Sequence, residues 1–283
     1  MAVRFEKVDY TYSPNSPFAF EALKDINTHI PEGKLTAIVG ATGSGKSTMV
    51  QHLNGLLQPT AGKVHVYDHT IVAGEKPKGL KALRQRVGFV FQFPEMQLFD
   101  DTIYKDVSFG PLNFGIDETT LKRNVEEALN LVGIEETLWE RSPLNLSGGQ
   151  KRRVAIAGVL ATNPDLIVLD EPTAGLDPQG SKDMMGIFET LNQKLNKTIV
   201  MVTHDMEHVL TYCEHVIVMD QGKIIFEGDT KCFFQNTDLL NSLDIVKPLI
   251  LQLHDLLTKQ GFDIPVETDL DTLVDILIEG VKR

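Results

Sequence analysis

The chain has 283 residues, 42% of them hydrophobic, and a formal net charge of −12 at pH 7. This composition is typical of a globular protein with one large domain, or with a main domain and a smaller appendage, and the acidic balance disfavours a sequence-independent grip on nucleic acid. No apolar run approaches the ~18 residues of a membrane span and the N-terminus is too polar for a signal peptide, so we expect a chain that reaches a membrane only through a partner.

Two strands are predicted near the N-terminus. Val3 to Tyr10 alternates apolar and polar residues as a half-buried strand does, and Leu23 to Ile30 has the character of a second strand. A loop rich in Pro, Ser and Asn separates them. We expect the two strands to be antiparallel.

A glycine-rich stretch follows the apolar run Leu35–Val39 and fits the pattern G-x-x-x-x-G-K-[ST]. Its residues are Gly40, Ala41, Thr42, Gly43, Ser44, Gly45, Lys46, Ser47 and Thr48. A helix is predicted over Met49–Leu57, so the motif lies between a strand and a helix, as a phosphate-binding loop requires. The glycines let backbone N–H groups approach a phosphate, Lys46 supplies a mobile cation, and the Ser47 hydroxyl can ligate Mg²⁺. The stretch therefore predicts a nucleoside triphosphate site.

Tyr12 precedes this phosphate-binding loop by about thirty residues, at the end of the first strand. An aromatic ring in that place could stack on an adenine ring, or it could simply fill the end of the strand. The spacing leaves both interpretations open.

The middle of the chain predicts a helical insertion in an otherwise α/β domain. A strand at Gly62–Tyr67 and a loop with a short helix over Ile71–Leu83 lead to the strand Val87–Gln92, which ends in a glutamine. Helices are then predicted at Thr102–Phe109 and Thr119–Val132, with a break at Pro111.

A second set of polar motifs begins at Leu146, Ser147, Gly148, Gly149 and Gln150, which open a helix predicted over Lys151–Ala161. The unalternating run Leu166–Leu169 predicts a central strand covered on both faces, and it ends in Asp170 and Glu171. The next buried strand ends near His204. The remaining predicted elements are a helix at Ser181–Leu195, a strand at Thr198–Val202, a helix at Glu207–Cys213 and a hairpin of Val216–Met219 with Lys223–Phe226. Strands that alternate with helices predict a mostly parallel sheet.

In their order along the chain, these motifs resemble the nucleotide-binding subunit of ATP-binding cassette (ABC) transporters over residues 1–230. The resemblance implies a P-loop NTPase fold with ATP and Mg²⁺ as ligands. Asp170 and Ser47 would hold Mg²⁺, and Gln92 resembles the glutamine of the family that reaches the ion. Glu171 would polarise the attacking water, and His204 resembles the family histidine that bonds the γ-phosphate beside Lys46.

The pentapeptide resembles the family signature that closes over the ATP of a second subunit, so Ser147, Gly148, Gly149 and Gln150 would bind nucleotide across a head-to-tail dimer. Ala174–Asp177 resembles the loop that crosses the same interface. The likeness therefore implies a second ATPase subunit, either a paralogue or a copy of this chain.

Weaker features resemble the ATPases of energy-coupling factor importers, namely Tyr10-Thr11-Tyr12, Gln92-Phe93-Pro94 with Gln97-Leu98-Phe99, and the apolar tail from Pro248. Such importers take up vitamins or transition-metal ions and combine two ATPases with a transmembrane scaffold and a membrane substrate-binding subunit. This resemblance implies a peripheral protein at the cytoplasmic face of the cell membrane. Residues 93–114 could bind the scaffold or simply pack within the insertion.

We therefore predict an ATP-binding cassette domain over residues 1–230, with a helical insertion at about 93–162, and a helical extension over 231–283. The two amphipathic tail helices, one of them capped by Thr268 or Asp269, either pack on the main domain or form a dimer interface. The alternative function is a non-transport cassette ATPase that acts on nucleic acid or the ribosome, although the expected partners include no nucleic acid.

Overall fold

The computed structural model describes residues 2–261, 272–274, 276 and 278. Its strands are β1 Val3–Tyr12, β2 Phe20–Ile30, β3 Leu35–Val39, β4 Ala61–Val66, β5 His69–Val72, β6 Val87–Val90, β7 Leu166–Asp170, β8 Thr198–Val202, β9 His215–Asp220 and β10 Lys223–Asp229. Its α-helices are α1 Lys46–Gln51, α2 Leu80–Arg86, α3 Ile103–Phe114, α4 Glu118–Leu131, α5 Gly148–Leu160, α6 Pro178–Gln193, α7 Met206–Tyr212, α8 Thr230–Gln235, α9 Thr237–Ser242 and α10 Leu249–Lys259.

A six-stranded sheet forms the centre, in the order β10-β9-β3-β8-β7-β6. Five of these strands are parallel and β10 runs antiparallel to β9. Every residue of β3 and β8 is buried, because apolar clusters lie on both faces of the sheet. The predicted α/β class with a mostly parallel central sheet is confirmed.

A second, antiparallel sheet has the order β2-β1-β4-β5 and packs through β2 against β10. The antiparallel pairing of β1 with β2 confirms the prediction for the N-terminus. The sequence did not indicate β5, because this strand is short, lies at the sheet edge and buries only Ile71 fully. Pairing with β4 places it in the sheet.

Two helix predictions were wrong in extent. The predicted break at Pro111 does not occur, since α3 continues to Phe114 and ends at Gly115. Ile103, Val107 and Pro111 are buried on one side of α3, and this packing overrides the lost backbone hydrogen bond. In contrast, α1 ends at Gln51 rather than near Leu57, and the short helices α8 and α9 were not predicted.

The tail meets the main domain through α10. Ile250 and Leu251 are buried in the same apolar cluster as the central sheet, whereas Leu249 and Leu256 on α10 are 72% and 61% exposed. Of the predicted last helix, residues 272–274, 276 and 278 are helical, but its proposed caps Thr268 and Asp269 lie outside the described residues. Among the helices that the structure describes, none combines the length and the apolarity needed to cross a bilayer.

Candidate nucleotide-binding site

The phosphate-binding loop connects β3 to α1 and is pressed between two other strands. Gly40 and Gly45 have φ of +145° and +105°. A Cβ atom on Gly40 would lie 2.1 Å from the Met219 carbonyl oxygen, and one on Gly45 would lie 2.6 Å from that of Ala22. Both positions therefore require glycine, because β9 and β2 approach the loop too closely for a side chain.

Lys46 is buried at the base of this loop, with 6% of its surface exposed. Its Nζ donates hydrogen bonds of 2.8 Å to the carbonyl oxygens of Gly40 and Ala41. Burial lowers the pKa of Lys46, and the nearby carboxylates of Glu171 and Asp170 oppose that change. The ammonium group is thus held in the concave side of the loop, next to two acidic side chains.

The two carboxylates at the end of β7 have different environments. Asp170 accepts a hydrogen bond of 3.3 Å from the Ser47 hydroxyl, and burial raises the pKa of Asp170 in spite of this bond. Glu171 has a φ of 50°, and its N–H donates to the Val202 carbonyl oxygen at 3.0 Å. This left-handed conformation turns the chain sharply at the edge of the sheet.

Glu171 brings together side chains from three neighbouring strand ends. Gln92, two residues after β6, donates from Nε2 to Glu171 Oε2 at 2.9 Å. His204, two residues after β8, places its Nε2 3.2 Å from Glu171 Oε1. Because β6, β7 and β8 are adjacent and parallel, their carboxyl ends meet at one edge of the sheet.

These groups face one cleft of about 300 Å³. The residues that line it are Phe20, Ala22, Thr42, Gly43, Gly45, Lys46, Ser47, Thr48, Gln92, Glu171 and His204. The motifs predicted from the sequence on the phosphate loop and at the strand ends therefore converge at one site.

The oxygen atoms of this cleft match a small hard cation. The hydroxyl of Ser47, the carboxylate of Asp170 and the amide of Gln92 offer the kind of donor that Mg²⁺ prefers. A cation beside Asp170 would also offset the burial that disfavours its charged form. Within the described residues there is no cluster of three or more His, Cys, Asp or Glu side chains suited to a metal.

The signature pentapeptide lies outside the cleft. Ser147 caps α5: its Oγ accepts from the Gln150 N–H at 3.3 Å, and Gln150 Oε1 accepts from the Ser147 N–H at 3.1 Å. A Cβ atom on Gly148 or Gly149 would meet nothing within 4 Å. The fold of this chain thus has space for a side chain at both glycines, and their bare backbone is open to approach from outside.

Arg152 on α5 is a residue that the sequence analysis missed. It is 3% exposed and forms a double hydrogen bond with Glu95, with both N···O distances 3.0 Å. It also donates to the Ala174 carbonyl oxygen at 2.7 Å. Arg152 therefore ties the pentapeptide helix to the segment after Gln92 and to the loop after Glu171. Its position near the start of the helix was visible in the sequence, but its partners were not.

The aromatic residues at the β1–β2 end differ in their position relative to the cleft. The Tyr12 hydroxyl lies 3.1 Å from Thr48 Oγ1, and the Tyr12 ring packs edge-on against Tyr10 with centroids 4.8 Å apart. Tyr12 is not among the residues that line the cleft, whereas Phe20, its partner across the strand pair, is. Phe20 was also missed from the sequence, and only the strand register identifies it.

Known proteins resemble this chain along most of its length. The family described as "ABC transporter" matches residues 23–174. The protein named "Energy-coupling factor transporter ATP-binding protein EcfA2" from Enterococcus faecalis is 48% identical over 284 residues, which covers 100% of this chain and 98% of that protein. Its namesake from Lactiplantibacillus plantarum is 51% identical over 262 residues, or 93% of this chain and 89% of the relative.

Two solved structures have the same fold. The structure of cbiO1 from Clostridium perfringens, described as part of the ABC transporter complex cbiONQ, has a TM-score of 0.74 at 39% identity and covers 90% of this chain and 98% of that one. A dimeric post-hydrolysis state of the ATP-binding cassette MJ0796, bound to ADP and Pi, has a TM-score of 0.71 at 32% identity, with coverage of 81% and 98%.

Proposed function

Since the chain belongs to the ABC transporter family, as an ATP-binding protein of the energy-coupling factor type, we propose that the cleft at Lys46 and Glu171 hydrolyses ATP to drive a membrane importer. The family assignment covers ATP binding and ATP hydrolysis coupled to transport. The individual residue roles, the metal ion and the partners are our proposals.

One observation carries the assignment of roles: Glu171 is held between Gln92 and His204, beside the phosphate-binding loop. The loop N–H groups and Lys46 bind the β- and γ-phosphates of ATP. Glu171 accepts a proton from the attacking water, and His204 donates a hydrogen bond to the γ-phosphate. Gln92 fixes the orientation of the Glu171 carboxylate through its 2.9 Å bond.

The oxygen donors support Mg²⁺ as the metal ion. Ser47 and Asp170 would hold it, with Gln92 at its edge. When bound, the ion would neutralise charge on the β- and γ-phosphates.

We further propose that each site is completed by a second ATPase subunit. The pentapeptide residues Ser147–Gln150 do not line the cleft of their own chain, and the glycines within them have open space around them. A helix N-terminus with bare N–H groups suits the γ-phosphate of a neighbouring subunit. Dimeric cassettes among the structural relatives support this arrangement.

Exposed apolar side chains support contacts with membrane subunits. Those of residues 93–114 are Phe93, Met96, Phe99, Phe109 and Leu112, with exposures from 45% to 84%. An apolar patch of this kind is typical of a protein interface, and we assign it to the transmembrane scaffold. We assign the exposed face of α10 to contact between ATPase subunits.

The cargo is proposed to be a vitamin or a transition-metal ion, captured by a separate membrane subunit, with this chain at the cytoplasmic face. The names of the relatives favour transport over the alternative of a nucleic-acid or ribosome ATPase.

A co-expression experiment tests this function. The chain is produced with its membrane subunits, and membranes are separated from the lysate before purification. We expect the chain to fractionate with membranes, and the purified complex in lipid vesicles to show Mg²⁺-dependent ATP hydrolysis and ATP-dependent uptake. A chain that instead co-purified with ribosomes or DNA in a salt-sensitive manner would support the alternative function.

A further inference from the structure

Glu171 and His204 lie on two loops that each lead from a strand of the central sheet into a helix. β7 and β8 are adjacent parallel strands; Glu171 follows β7 directly, and His204 lies two residues after β8. The chain after Glu171 enters α6 at Pro178, and the chain after His204 enters α7 at Met206. The place of each side chain therefore depends on the helix that follows it as well as on its strand.

His204 needs support from α7. Its side chain is 47% exposed, and a contact of 3.2 Å with Glu171 Oε1 orients it. Helix α7 has seven residues, a length at which a helix is not stable alone, so its place is set by its contacts with the rest of the fold. Val209 and Leu210 are buried on α7. A polar contact beside this apolar side would fix the rotation of the helix about its axis.

Ser181 and His208 supply such a contact. The Oγ atom of Ser181, near the start of α6, lies 3.1 Å from Nε2 of His208, near the start of α7. The His208 side chain is 12% exposed, and its Nδ1 lies 3.4 Å from Asp205 Oδ2. Burial lowers the pKa of His208, although the carboxylates of Asp205 and Glu207 oppose this change. The neutral ring can keep its proton on Nδ1, toward Asp205, and accept the Ser181 hydroxyl proton at Nε2.

Both partners of this contact are tied to the loops that precede their helices. Asp177 caps α6, and its carbonyl oxygen accepts from the Ser181 N–H at 2.9 Å. Asp205 caps α7, and its Oδ1 accepts from the His208 N–H at 3.1 Å. Because Asp177 and Asp205 end the loops that follow β7 and β8, the contact between Ser181 and His208 joins those two loops as well.

We propose that Ser181 and His208 are positioning residues that hold Glu171 and His204 in register with each other. Their contact, here called the α6–α7 clasp, closes a ring of structure. The ring runs from Glu171 through α6 to Ser181, across to His208, and through α7 to His204, which meets Glu171 again. The inference rests on the proposed function of the cleft, because the assigned chemical step needs both side chains at the γ-phosphate. ATP affinity comes chiefly from the phosphate-binding loop, so the clasp should act on turnover.

Steady-state ATPase and nucleotide-binding assays on the assembled complex test the proposal. His208→Leu fills the buried space but removes the ring nitrogens, and Ser181→Ala removes the hydroxyl. We expect each change to lower kcat by about tenfold with an unchanged Kd for ATP, because a small misplacement weakens interactions of the transition state. The double variant should be no slower than the slower single variant, since both changes remove one contact.

Two conservative variants separate this role from a general effect on the fold. The side-chain amide of His208→Gln can reach the Ser181 hydroxyl, and Ser181→Thr keeps a hydroxyl, so both should restore most of the turnover. Gln193→Ala is the matched control, because Gln193 Nε2 donates to Glu189 Oε1 at 3.1 Å on the exposed side of α6. This variant loses a hydrogen bond that stays within the helix, and its kcat should be unchanged.

Full turnover in His208→Leu and Ser181→Ala would overturn the proposal, as would losses that multiply in the double variant. An equal loss of kcat in His208→Leu and His208→Gln would also overturn it. So would a loss of ATP affinity as large as the loss of turnover, because that would mean a disturbed fold. If His208→Leu did not assemble, Ser181→Ala and Ser181→Thr would decide by the same criteria. Failure of the unaltered complex to hydrolyse ATP would instead overturn the proposed function.

Discussion

Glu171 has a φ of 50°, a backbone conformation that residues other than glycine rarely adopt. Such a residue costs about 1 kcal/mol or more, and it persists only where the surroundings fix it. Here the surroundings are the hydrogen bond to Val202 and the contacts of the side chain with Gln92 and His204. One of the strained residues of the chain is therefore the residue to which we assign the chemical step.

Glu171→Gln should separate binding from chemistry. The amide has nearly the same shape as the carboxylate but cannot accept a proton, so we expect an unchanged Kd for ATP and a turnover lower by about 10² to 10⁴. Binding and steady-state ATPase assays on the assembled complex measure both quantities. Glu214→Gln is the control, because Glu214 is exposed and lies 3.9 Å from Lys34, away from the cleft. A Glu171→Gln complex that retained most of its turnover would remove Glu171 from the catalytic role.

His52 gives the fold a specific pH dependence. It is fully buried behind α1, its Nδ1 lies 2.8 Å from the Thr48 carbonyl oxygen, and burial lowers its pKa from 6.5 to about 4. The unfolded chain therefore binds a proton at His52 that the folded chain rejects between pH 6.5 and pH 4. Its contribution to stability is complete above pH 6.5 and is lost as pH falls toward 4.

Urea unfolding at pH 7 and at pH 5 checks this contribution. We expect the free energy of unfolding to fall between these pH values by about 2 kcal/mol more in the unaltered chain than in His52→Gln, which cannot take up the proton. His254→Gln, on the half-exposed helix α10, is the comparison variant. Equal pH dependence in the unaltered chain and His52→Gln would contradict the assigned pKa.

At the scale of elements, α10 is connected directly to the segment that carries His204. The Leu249 N–H donates a 2.8 Å hydrogen bond to Oε1 of Glu207, in the first turn of α7. A cavity of about 480 Å³ lies between residues 204–207 and residues 243–248, which precede α10, and it extends to Gly40 and Ala41 at the edge of the phosphate loop. A displacement of the tail would therefore be transmitted through α7 to the segment that carries His204.

Leu249→Pro removes this one backbone donor. Proline is tolerated at the first position of a helix, and Pro248 before it has a ψ of 146°, which suits a following proline. We expect the free energy of unfolding to fall by about 1 to 3 kcal/mol, since a hydrogen bond to a charged group is lost. Amide hydrogen exchange in α7 should become faster. Leu249→Ala keeps the N–H, so it should change neither the free energy of unfolding nor the amide exchange in α7. Faster exchange in both variants would contradict a connection through the Leu249–Glu207 hydrogen bond.

The sequence predicted the strands and loops whose structure is determined by the residues within them. The runs of β3, β7 and β8 are mostly apolar and do not alternate with polar residues, which indicates strands buried on both faces, and the structure has them there. The phosphate loop is likewise a local pattern. Elements that depend on distant partners were missed or mistaken: β5 exists through its pairing with β4, and α3 passes Pro111 because its buried face holds it.

The same distinction applies to the site. Lys46, Asp170 and Glu171 follow from motifs in the chain, and the structure brings them together. Arg152 and Phe20 could not be identified, because their places beside the site depend on the contact with Glu95 and on the register of β1 with β2. Local sequence motifs therefore predict the chemical groups of the site. The residues that connect those groups can be identified only once the fold is known.

For the whole molecule, the proposed dimer has one main consequence, because a single chain then presents two half-sites that do not meet. The cleft lies at the carboxyl ends of the sheet strands, and Ser147 is exposed at the start of α5, outside it. With twofold symmetry, two copies or close paralogues would bury both half-sites at once. Hydrolysis should then depend on protein concentration and on the partner.

Mixing two inactive variants tests this arrangement. Glu171→Gln should inactivate the cleft of the chain that carries it. Ser147→Arg should instead inactivate the cleft of the partner, because it blocks the pentapeptide that the chain presents to that cleft. If sites are shared, a mixed dimer retains one intact site, so equal amounts should recover about a quarter of the unaltered activity. ATPase rates of each variant alone and of the mixture measure this. A mixture no more active than its components would contradict a shared site between copies of this chain.

The turn between β9 and β10 has a further consequence for engineering. Gly222 is buried: its carbonyl accepts from the Lys24 N–H at 2.8 Å, and its N–H donates to the Ser44 carbonyl at 3.0 Å. Tight hairpin turns are ordinarily chosen for affinity tags, fluorophores or circular permutation because they tolerate insertion. In this protein the turn connects β2 to the phosphate loop, so a label inserted there would separate β2 from that loop, and the tip of a more remote loop is the better choice.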